Sequence, residues 1–439
     1  MAYELEKGSE TKKLCNIDQL NILDKLLNSI LKNNEEKIFF IDGPGGTGKT
    51  FLYNCLIHYL MGNNKNVITV AWTGIASILL PNGTTSHRAF KLPLEIDNYS
   101  TWCVKSMKDK EYLYKTDVII WDEASMILGR VVEMVDELLK DLCNSKKPFG
   151  GKFVIFGGDF RQVLPVVKYA TPAKIINSTL KSTSIWPMCT KLKLTKNMRS
   201  TDMEHANWLL NVGYLCDSIS LNQDLSDKII IACHNDDVRA LNEKVLNLIE
   251  GEAHTYLSID VAKQRGVDQS DEDIQLEYQV EYLNSLSFNG FPVHKLKLKI
   301  GSTVMLLRNL SIKDGLCNGT RLQIVKLYKH LIAGKFITGN KKGEIAFIPR
   351  IKLDTGDTSA NKLPFVLERR QFPITLAFAI TINKSQEQSF NKVGIYVDKL
   401  LFSHGQLYVA LSRCKKKEGI KIQSNSVIKN VVWKEILNL

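Results

Sequence analysis

The chain lacks the features that would tie it to a membrane or to an extracellular disulfide framework. Its 439 residues contain no run of about 18 apolar residues, so no membrane-spanning helix is expected. Met1 to Lys13 hold no apolar core, which excludes a secretory leader over that stretch. The nine cysteines, Cys15, Cys55, Cys103, Cys143, Cys189, Cys216, Cys233, Cys317 and Cys414, form no C-x-x-C pair and are odd in number. They read as reduced thiols of an intracellular protein, mostly packing residues, and no zinc site is expected. There is no internal repeat and no low-complexity linker. What remains is a globular composition, 44% apolar and 24% charged, long enough for roughly three domains of about 150 residues. The formal charge of +12 points to a polyanionic partner such as nucleic acid. A lysine-rich composition with no binding role gives the same number, so charge alone leaves the choice open.

The strongest positive signal is Gly43-Pro44-Gly45-Gly46-Thr47-Gly48-Lys49-Thr50, which matches the phosphate-binding loop G-x-x-x-x-G-K-[ST] at every fixed position. Lys37 to Asp42 before it reads as a buried strand, and Phe51 to Ile57 after it as a helix. Glycines let the backbone point its N–H groups at phosphates, and the helix N-terminus adds partial positive charge. Lys49 is expected on the β- and γ-phosphates and Thr50 on Mg²⁺. A nucleotide-binding protein follows.

A second element, Val118-Ile119-Ile120-Trp121-Asp122-Glu123, is an apolar strand that delivers two carboxylates to its C-terminal edge, where ligands of parallel α/β sheets sit. Adjacent strand residues point to opposite sides. One acid, Asp122, is therefore assigned to the metal and the other, Glu123, to the base that faces the attacking water. A third strand, Lys152 to Asp159, runs into Phe160-Arg161-Gln162, and Gln162 suits a sensor of the γ-phosphate or its water. Upstream, Asn16 can cap a helix with apolar positions Leu20, Leu23, Leu27 and Ile30. Gln19, in its first turn, reads in isolation as a surface glutamine. His87 has no metal-ligand partner at the required spacing and reads as structural.

The second half begins with Leu194-Thr195-Lys196-Asn197-Met198-Arg199 and continues with a strand, Ile229 to Ala232, and a helix, Asp236 to Glu250. From about 255 to 372 short apolar runs alternate with Gly, Asn and Lys, as in Gly301 to Leu307, Gly319 to Val325 and Gly343 to Pro349. These read as strands of a small barrel. Then α/β texture returns, with a strand at Val393 to Val397 and a helix at Gly405 to Arg413.

Taken in order, these blocks resemble the Pif-type 5′-to-3′ DNA helicases of superfamily 1B. The resemblance runs from Asn16 to about Ile422. Thr73-Gly74-Ile75-Ala76, Thr84-Thr85-Ser86-His87, Gly157 to Pro165, Leu316 to Leu322 and Arg370-Gln371-Phe372-Pro373 all look like family blocks. Trp72 and Phe149-Gly150-Gly151 are similar to the helicase portion of Helitron-like elements. The resemblance implies two RecA-like α/β domains, with an SH3-like β-barrel inserted in the second. The expected domains are 1–195, 196–254 with 373–439, and the insert 255–372. It implies that Gln19 reads adenine, and that Arg199 and Arg413 reach the γ-phosphate across a cleft, where an arginine stabilises transition-state charge. It also implies a single-strand channel at Thr73, Gly74, His87, Phe90, Thr381, Asn383, Lys384 and Ser385.

The implied partners are ATP with Mg²⁺ and single-stranded or tailed duplex DNA, with a monomer able to complete its own site and no membrane role. The implied setting is DNA repair, recombination and telomere maintenance or mobile-element replication, in the nucleus of a eukaryote or its mitochondrion. Two alternatives remain: a translocating ATPase that does not unwind, and a non-enzymatic remnant of a mobile element. The long N-terminal region common in the family is not expected here. One internal departure stands out. Ser385-Gln386-Glu387-Gln388 replaces the family's Ser-Gln-Gly-Gln. Glu387 is expected beside a DNA phosphate, where it would repel, or in solvent, where it would do nothing.

Overall fold

The computed structural model describes residues 2–93, 96, 100, 102, 104–167, 170–198, 228–264, 275–276, 278–288, 290–339, 341–355, 363–398, 401–424 and 428–437. The chain divides into two compact units, Met1–Cys233 with Thr381–Leu439, and His234–Ile380. We keep the boundaries near 195, 254 and 372 as a proposal about which segments form each domain.

The first unit opens with two helices, α1 (Ala2–Lys13) and α2 (Ile17–Leu31), followed by β1 (Ile38–Asp42) and α3 (Lys49–Gly62). Next come β2 (Val67–Ala71), α4 (Gly74–Ile78), β3 (Thr84–Thr85), α5 (Ser86–Phe90) and β4 (Val118–Asp122). The helix α6 (Gly129–Leu142), β5 (Phe153–Gly158) and β6 (Thr190–Lys193) complete this half. The strands form one sheet in the order β3-β2-β4-β5-β1-β6, parallel throughout.

The near-continuous apolar strands are what a sheet covered on both faces requires. Phe39 and Ile41 of β1 pack with Leu23 and Leu26 of α2 and Leu52 and Leu56 of α3. Ile38 and Phe40 point the other way, into a core with Val131, Val135 and Leu138 of α6. Each such side chain, fully buried, contributes about 1.5–3 kcal/mol.

Asn16 caps α2 as expected, accepting from the Gln19 N–H in a reciprocal capping box. The buried stripe keeps Leu23 and Ile30 of the expected positions and is broader than expected. It runs through Gln19, Ile22, Leu23, Leu26, Ser29 and Ile30. The apolar count misses it because two polar residues, Gln19 and Ser29, are inside with partners: Ser29 donates to the Glu36 carbonyl at 2.9 Å. Helix α1 had no apolar signal at all. It lies on α3, with Gly8 against the Tyr59 ring and His58 Nδ1 2.6 Å from Glu4 Oε2. Further along the chain, β7 (Lys228–Ala232), β8 (Lys392–Val397) and β9 (Ile420–Ser424) run parallel in a second sheet. Helix α7 (Gln406–Ser412) lies between β8 and β9 in the chain.

The second unit is mostly antiparallel. Five strands, Ile345–Pro349, Leu331–Phe336, Arg321–Leu327, Thr303–Leu306 and Ile374–Leu376, lie side by side in that order. They close on Val304, Leu306, Leu322, Ile324, Ile332 and Phe372. Three of these strands coincide with the expected apolar runs. A further sheet holds Ile259–Lys263 between Gln275–Leu276 and Val366–Gln371, with Ile351–Asp354 at its edge. Beneath it Arg369 and Asp260, both fully buried, form a two-pronged ion pair at 2.9 and 2.6 Å. The remaining guanidinium hydrogens go to the carbonyls of Leu283, Leu286 and Pro292, so neither charge is left uncompensated.

Candidate nucleotide site and the residues around it

The loop Gly43–Gly48 leaves the C-terminal end of β1 and enters α3 directly. Gly46 and Gly48 have φ of 94° and 80°, a region that favours glycine. A Cβ on Gly43 would stand 2.6 Å from Thr47 Oγ1. That hydroxyl donates to the Pro44 carbonyl at 2.9 Å, and Lys49 Nζ donates to the Gly43 carbonyl at 2.6 Å. Helix α3 has no side-chain cap, so its first N–H groups are directed at the loop. A 14-residue helix beginning at a glycine loop is built to receive an anion. Gln19 is 1% exposed and so is not a surface residue. Its oxygen accepts from the Asn16 N–H at 3.0 Å, and its Nε2 donates to the Thr47 carbonyl at 3.2 Å.

At the end of β4, Asp122 Oδ1 accepts from the Glu123 N–H at 3.0 Å. Both acids are buried. Burial raises the Asp122 pKa, against Lys49, which lowers it. Burial, then the neighbouring Asp122, pushes Glu123 up to about 7, near the value that suits a proton acceptor at neutral pH. Glu123 Oε2 is buried with no hydrogen-bond partner, and the residue itself has φ of 55°. A non-glycine residue in that region is strained, and such strain collects at functional sites. The Thr50 hydroxyl and the Asp122 carboxylate are hard oxygen donors that fit Mg²⁺, which takes few protein ligands and keeps water and phosphate for the rest. Among the described residues no group of three or more His, Cys, Asp or Glu forms a closed cage for any other metal.

The end of β5 carries a network that sequence reading did not single out. Asp159 is fully buried. It accepts from Arg161 Nε at 2.6 Å, and Arg161 Nη2 reaches Asp42 Oδ1 at 2.8 Å. Burial would raise the Asp159 carboxyl, but Arg161 and Lys49 hold it below its ordinary value. Gln162, 4% exposed, donates to Asp159 Oδ2 at 3.3 Å. The same oxygen accepts from the Tyr408 hydroxyl at 3.1 Å, and that hydroxyl accepts from the Gly45 N–H at 3.3 Å. Tyr408 thus ties α7 to the phosphate loop. Just before it, Gly405 has φ of 73°, and a Cβ there would stand 2.4 Å from the Arg161 carbonyl. The neighbouring His404 accepts from the Trp433 N–H through Nδ1, which leaves Nε2–H to donate to the Phe160 carbonyl at 2.9 Å.

Arg413 follows α7 and is 2% exposed. Its guanidinium donates to the Val409 carbonyl at 3.0 Å, the Gln388 carbonyl at 3.3 Å and Ser412 Oγ at 2.7 Å. Nη2 lies 3.7 Å from where a Cβ on Gly45 would stand, and its charge reaches Glu123. Arg199 lies outside the described residues. The segment before it is against the loop: the Met198 N–H donates to the Gly46 carbonyl at 2.7 Å, and Asn197 Nδ2 to the Gly45 carbonyl at 3.4 Å.

The residues expected to line a DNA channel separate into two groups. Thr73 caps α4, accepting from the Ala76 N–H at 3.2 Å, and Gly74 is the buried first residue of that helix. His87, half-buried, packs tilted against Trp72 with ring centroids 4.6 Å apart, and burial lowers its pKa. Thr381 is half-buried, and Asn383 and Lys384 are exposed. Phe90 and Ser385 are corrections. Phe90 has no exposed surface and packs on Trp121 with centroids 5.1 Å apart, so it is core and presents no face to a base. Ser385 is equally buried, and its hydroxyl is closed on the Ile382 carbonyl at 2.6 Å. Glu387 is half-buried. Its Oε2 accepts from the Thr73 hydroxyl at 2.7 Å.

Comparison with known proteins gives the family. The PIF1-like helicase family matches residues 14–214. The ATP-dependent DNA helicase Pif1 of Campylobacter jejuni is 30% identical over 421 residues, covering 89% of each chain. The chain belongs to the Pif1 helicase family. The ATP-dependent DNA helicase PIF1 of Xenopus laevis is also 30% identical, over 90% of this chain and 60% of its own. The chain therefore spans about 60% of the length of the vertebrate Pif1 relatives it matches. The Pif1 2B domain matches residues 281–327, within the antiparallel unit. The crystal structure of a Bacteroides Pif1 helicase in complex with ADP-AlF3 and single-stranded DNA superposes with a TM-score of 0.70 at 28% identity, over 94% of this chain and 95% of that one. The Pif1 fold, two RecA-like domains with an SH3-like insert in the second, is the fold of this chain. Among the described residues no helix is long and apolar enough to cross a membrane.

Proposed function

We propose that this chain is an ATP-dependent DNA helicase that moves 5′-to-3′ on single-stranded DNA and unwinds duplex. The observation that carries the reading is convergence: the phosphate loop, the acid pair after β4 and an arginine some 360 residues downstream share one buried site. In this reading the loop amides and Lys49 bind the triphosphate. Thr50 and Asp122 hold Mg²⁺, which supplies charge neutralisation on the phosphates. Glu123 takes a proton from water, Gln162 orients that water, and Arg413 with Arg199 stabilises the developing charge. Gln19 contacts adenine, its oxygen having a second lone pair beyond the bond from the Asn16 N–H. Thr73, Gly74, His87, Thr381, Asn383 and Lys384 contact the strand.

The relatives' helicase names support the reading, as does the single-stranded DNA in the Bacteroides complex. Polarity, monomeric action, a role in repair, recombination, telomere maintenance or mobile-element replication, and a nuclear or mitochondrial setting rest on family likeness. ATP hydrolysis measured with and without single-stranded DNA, followed by unwinding of 5′- and 3′-tailed duplexes, tests it. Stimulated hydrolysis with no unwinding of either substrate would favour a translocase. Better unwinding from a 3′ tail would overturn the polarity.

A further inference from the structure

Glu387 lies between two regions that the proposed activity must connect. On one side is Thr73, at the start of α4. The Thr73 hydroxyl accepts from the Ala76 N–H and donates its single hydrogen to Glu387 Oε2 at 2.7 Å. On the other side is the hydrolytic site: burial, then the neighbouring charge of Glu123, pushes the Glu387 carboxyl up to about 8. Its second oxygen, Oε1, is buried with no hydrogen-bond partner. The backbone has φ of 65° here. Among the described residues only eight non-glycine positions have positive φ, and four of them are asparagines, which tolerate it. Glu387 and Glu123 are the two glutamates, so the strained acids are both at this site. The adjoining chain is fastened to the same place, since the Gln388 carbonyl accepts from Arg413 Nη1.

We propose that Glu387 is a positioning residue that holds the Thr73 hydroxyl in competition with a phosphate of single-stranded DNA, and so sets the DNA concentration at which hydrolysis is stimulated. This deepens the reading above and rests on it. A hydroxyl has one hydrogen to donate. If Glu387 holds it, a phosphate oxygen cannot. DNA therefore binds by releasing Glu387. The released side chain is then free to move relative to Glu123 and Arg413, which links strand occupancy to the hydrolytic residues through one side chain.

The test is steady-state ATP hydrolysis titrated with an oligo-dT single strand, alongside anisotropy of the same labelled strand and affinity for a non-hydrolysable ATP analogue. Glu387→Met keeps size and removes the acceptor. It is expected to lower the half-stimulating DNA concentration about tenfold, the scale of one hydrogen bond, with analogue affinity unmoved. Glu387→Gly is expected to do the same. In a Thr73→Val background Glu387→Met is expected to change nothing, whereas in Thr73→Ser, which keeps the hydroxyl, its effect returns. Melting temperatures identify any variant that fails to fold, and the serine background keeps the comparison available if valine does.

Three results overturn the proposal: an unchanged half-stimulating concentration in Glu387→Met, a gain confined to glycine, which would mean backbone shape alone, or a gain that persists without the Thr73 hydroxyl. Equal shifts in DNA and analogue affinity would mean general loosening and also overturn it. A wild-type protein whose hydrolysis ignores DNA would instead sink the functional reading on which the proposal stands.

Discussion

The nucleotide site has two sides of different character. One is built from the ends of β1, β4 and β5, and every group on it sits within a few residues of its strand. The other comes from the segment Thr381 to Arg413, and its groups reach the site only through tertiary packing. On the first side sequence reading placed Lys49, Thr50, Asp122, Glu123 and Gln162 around one loop. On the second it relied on resemblance, and the structure changes the reading of two residues and adds a third. Ser385 is closed on its own chain. Glu387 turns to Thr73. Tyr408, unremarked in the sequence, bridges Gly45 and Asp159. A motif whose chemistry depends on contiguous backbone is written locally. A contact made by packing is not.

The largest effects are expected where the two sides do the same chemistry. Lys49→Ala should abolish hydrolysis, since the lysine on the phosphates is lost; measurable turnover in the purified, folded variant would refute the site. Arg413→Ala should slow turnover on the order of 10⁴-fold with nucleotide affinity nearly kept. A rate near wild type would show that the second side only packs against the loop. Glu123→Gln should cost about 10³ in rate while ATP still binds, because it removes the proton acceptor and leaves Asp122 in place. If binding falls as far as rate does, the acid pair is structural and the comparison fails on its legible side.

Phe90→Ala separates core from channel. A fully buried phenylalanine on Trp121 should cost about 3–5 kcal/mol of stability when truncated, read from denaturant unfolding. Single-strand affinity of the folded protein should change little. A loss of affinity with unchanged stability would return Phe90 to the channel.

Much of the fold could be read because periodicity survives in the strands: Val118 to Trp121 and Phe153 to Phe156 are apolar on both faces, as a covered parallel sheet demands. Other parts could not be. Helix α1 is polar along its length and is held by Gly8 and Glu4 on α3. Arg369 and Asp260 look like surface charges in sequence and are the buried tie of the second unit. Within the site, Asp159 and Arg161 belong to a motif visible in the sequence, but the pairing of Arg161 with Asp42 spans 119 residues of chain. Glu387 was flagged as a departure, and only its neighbours in space could say what it touches.

The smallest effect is expected at Tyr408, and it sharpens the comparison most. Its hydroxyl donates to Asp159 Oδ2 and accepts from the Gly45 N–H, so a single oxygen joins the second side to the loop and to the acid that fixes Arg161. Tyr408→Phe removes that oxygen and little volume. Asp159 keeps Arg161 and Gln162, so its charge stays compensated. What is lost is one partner of the Gly45 N–H and the tether to α7. A lost hydrogen bond of this kind costs about 0.5–1.5 kcal/mol. If the tether acts only in the resting fold, stability should drop by that amount and turnover should hold. If it also orients the loop amides for phosphate, turnover should fall about fivefold, and the drop should appear in kcat/KM for ATP rather than in the DNA concentration for half stimulation. The second outcome is the one expected, because Gly45 is a loop residue whose N–H faces α7. A shift confined to the DNA titration would mean that Tyr408 belongs with Thr73 and Glu387, and the line drawn between the two sides would have to move.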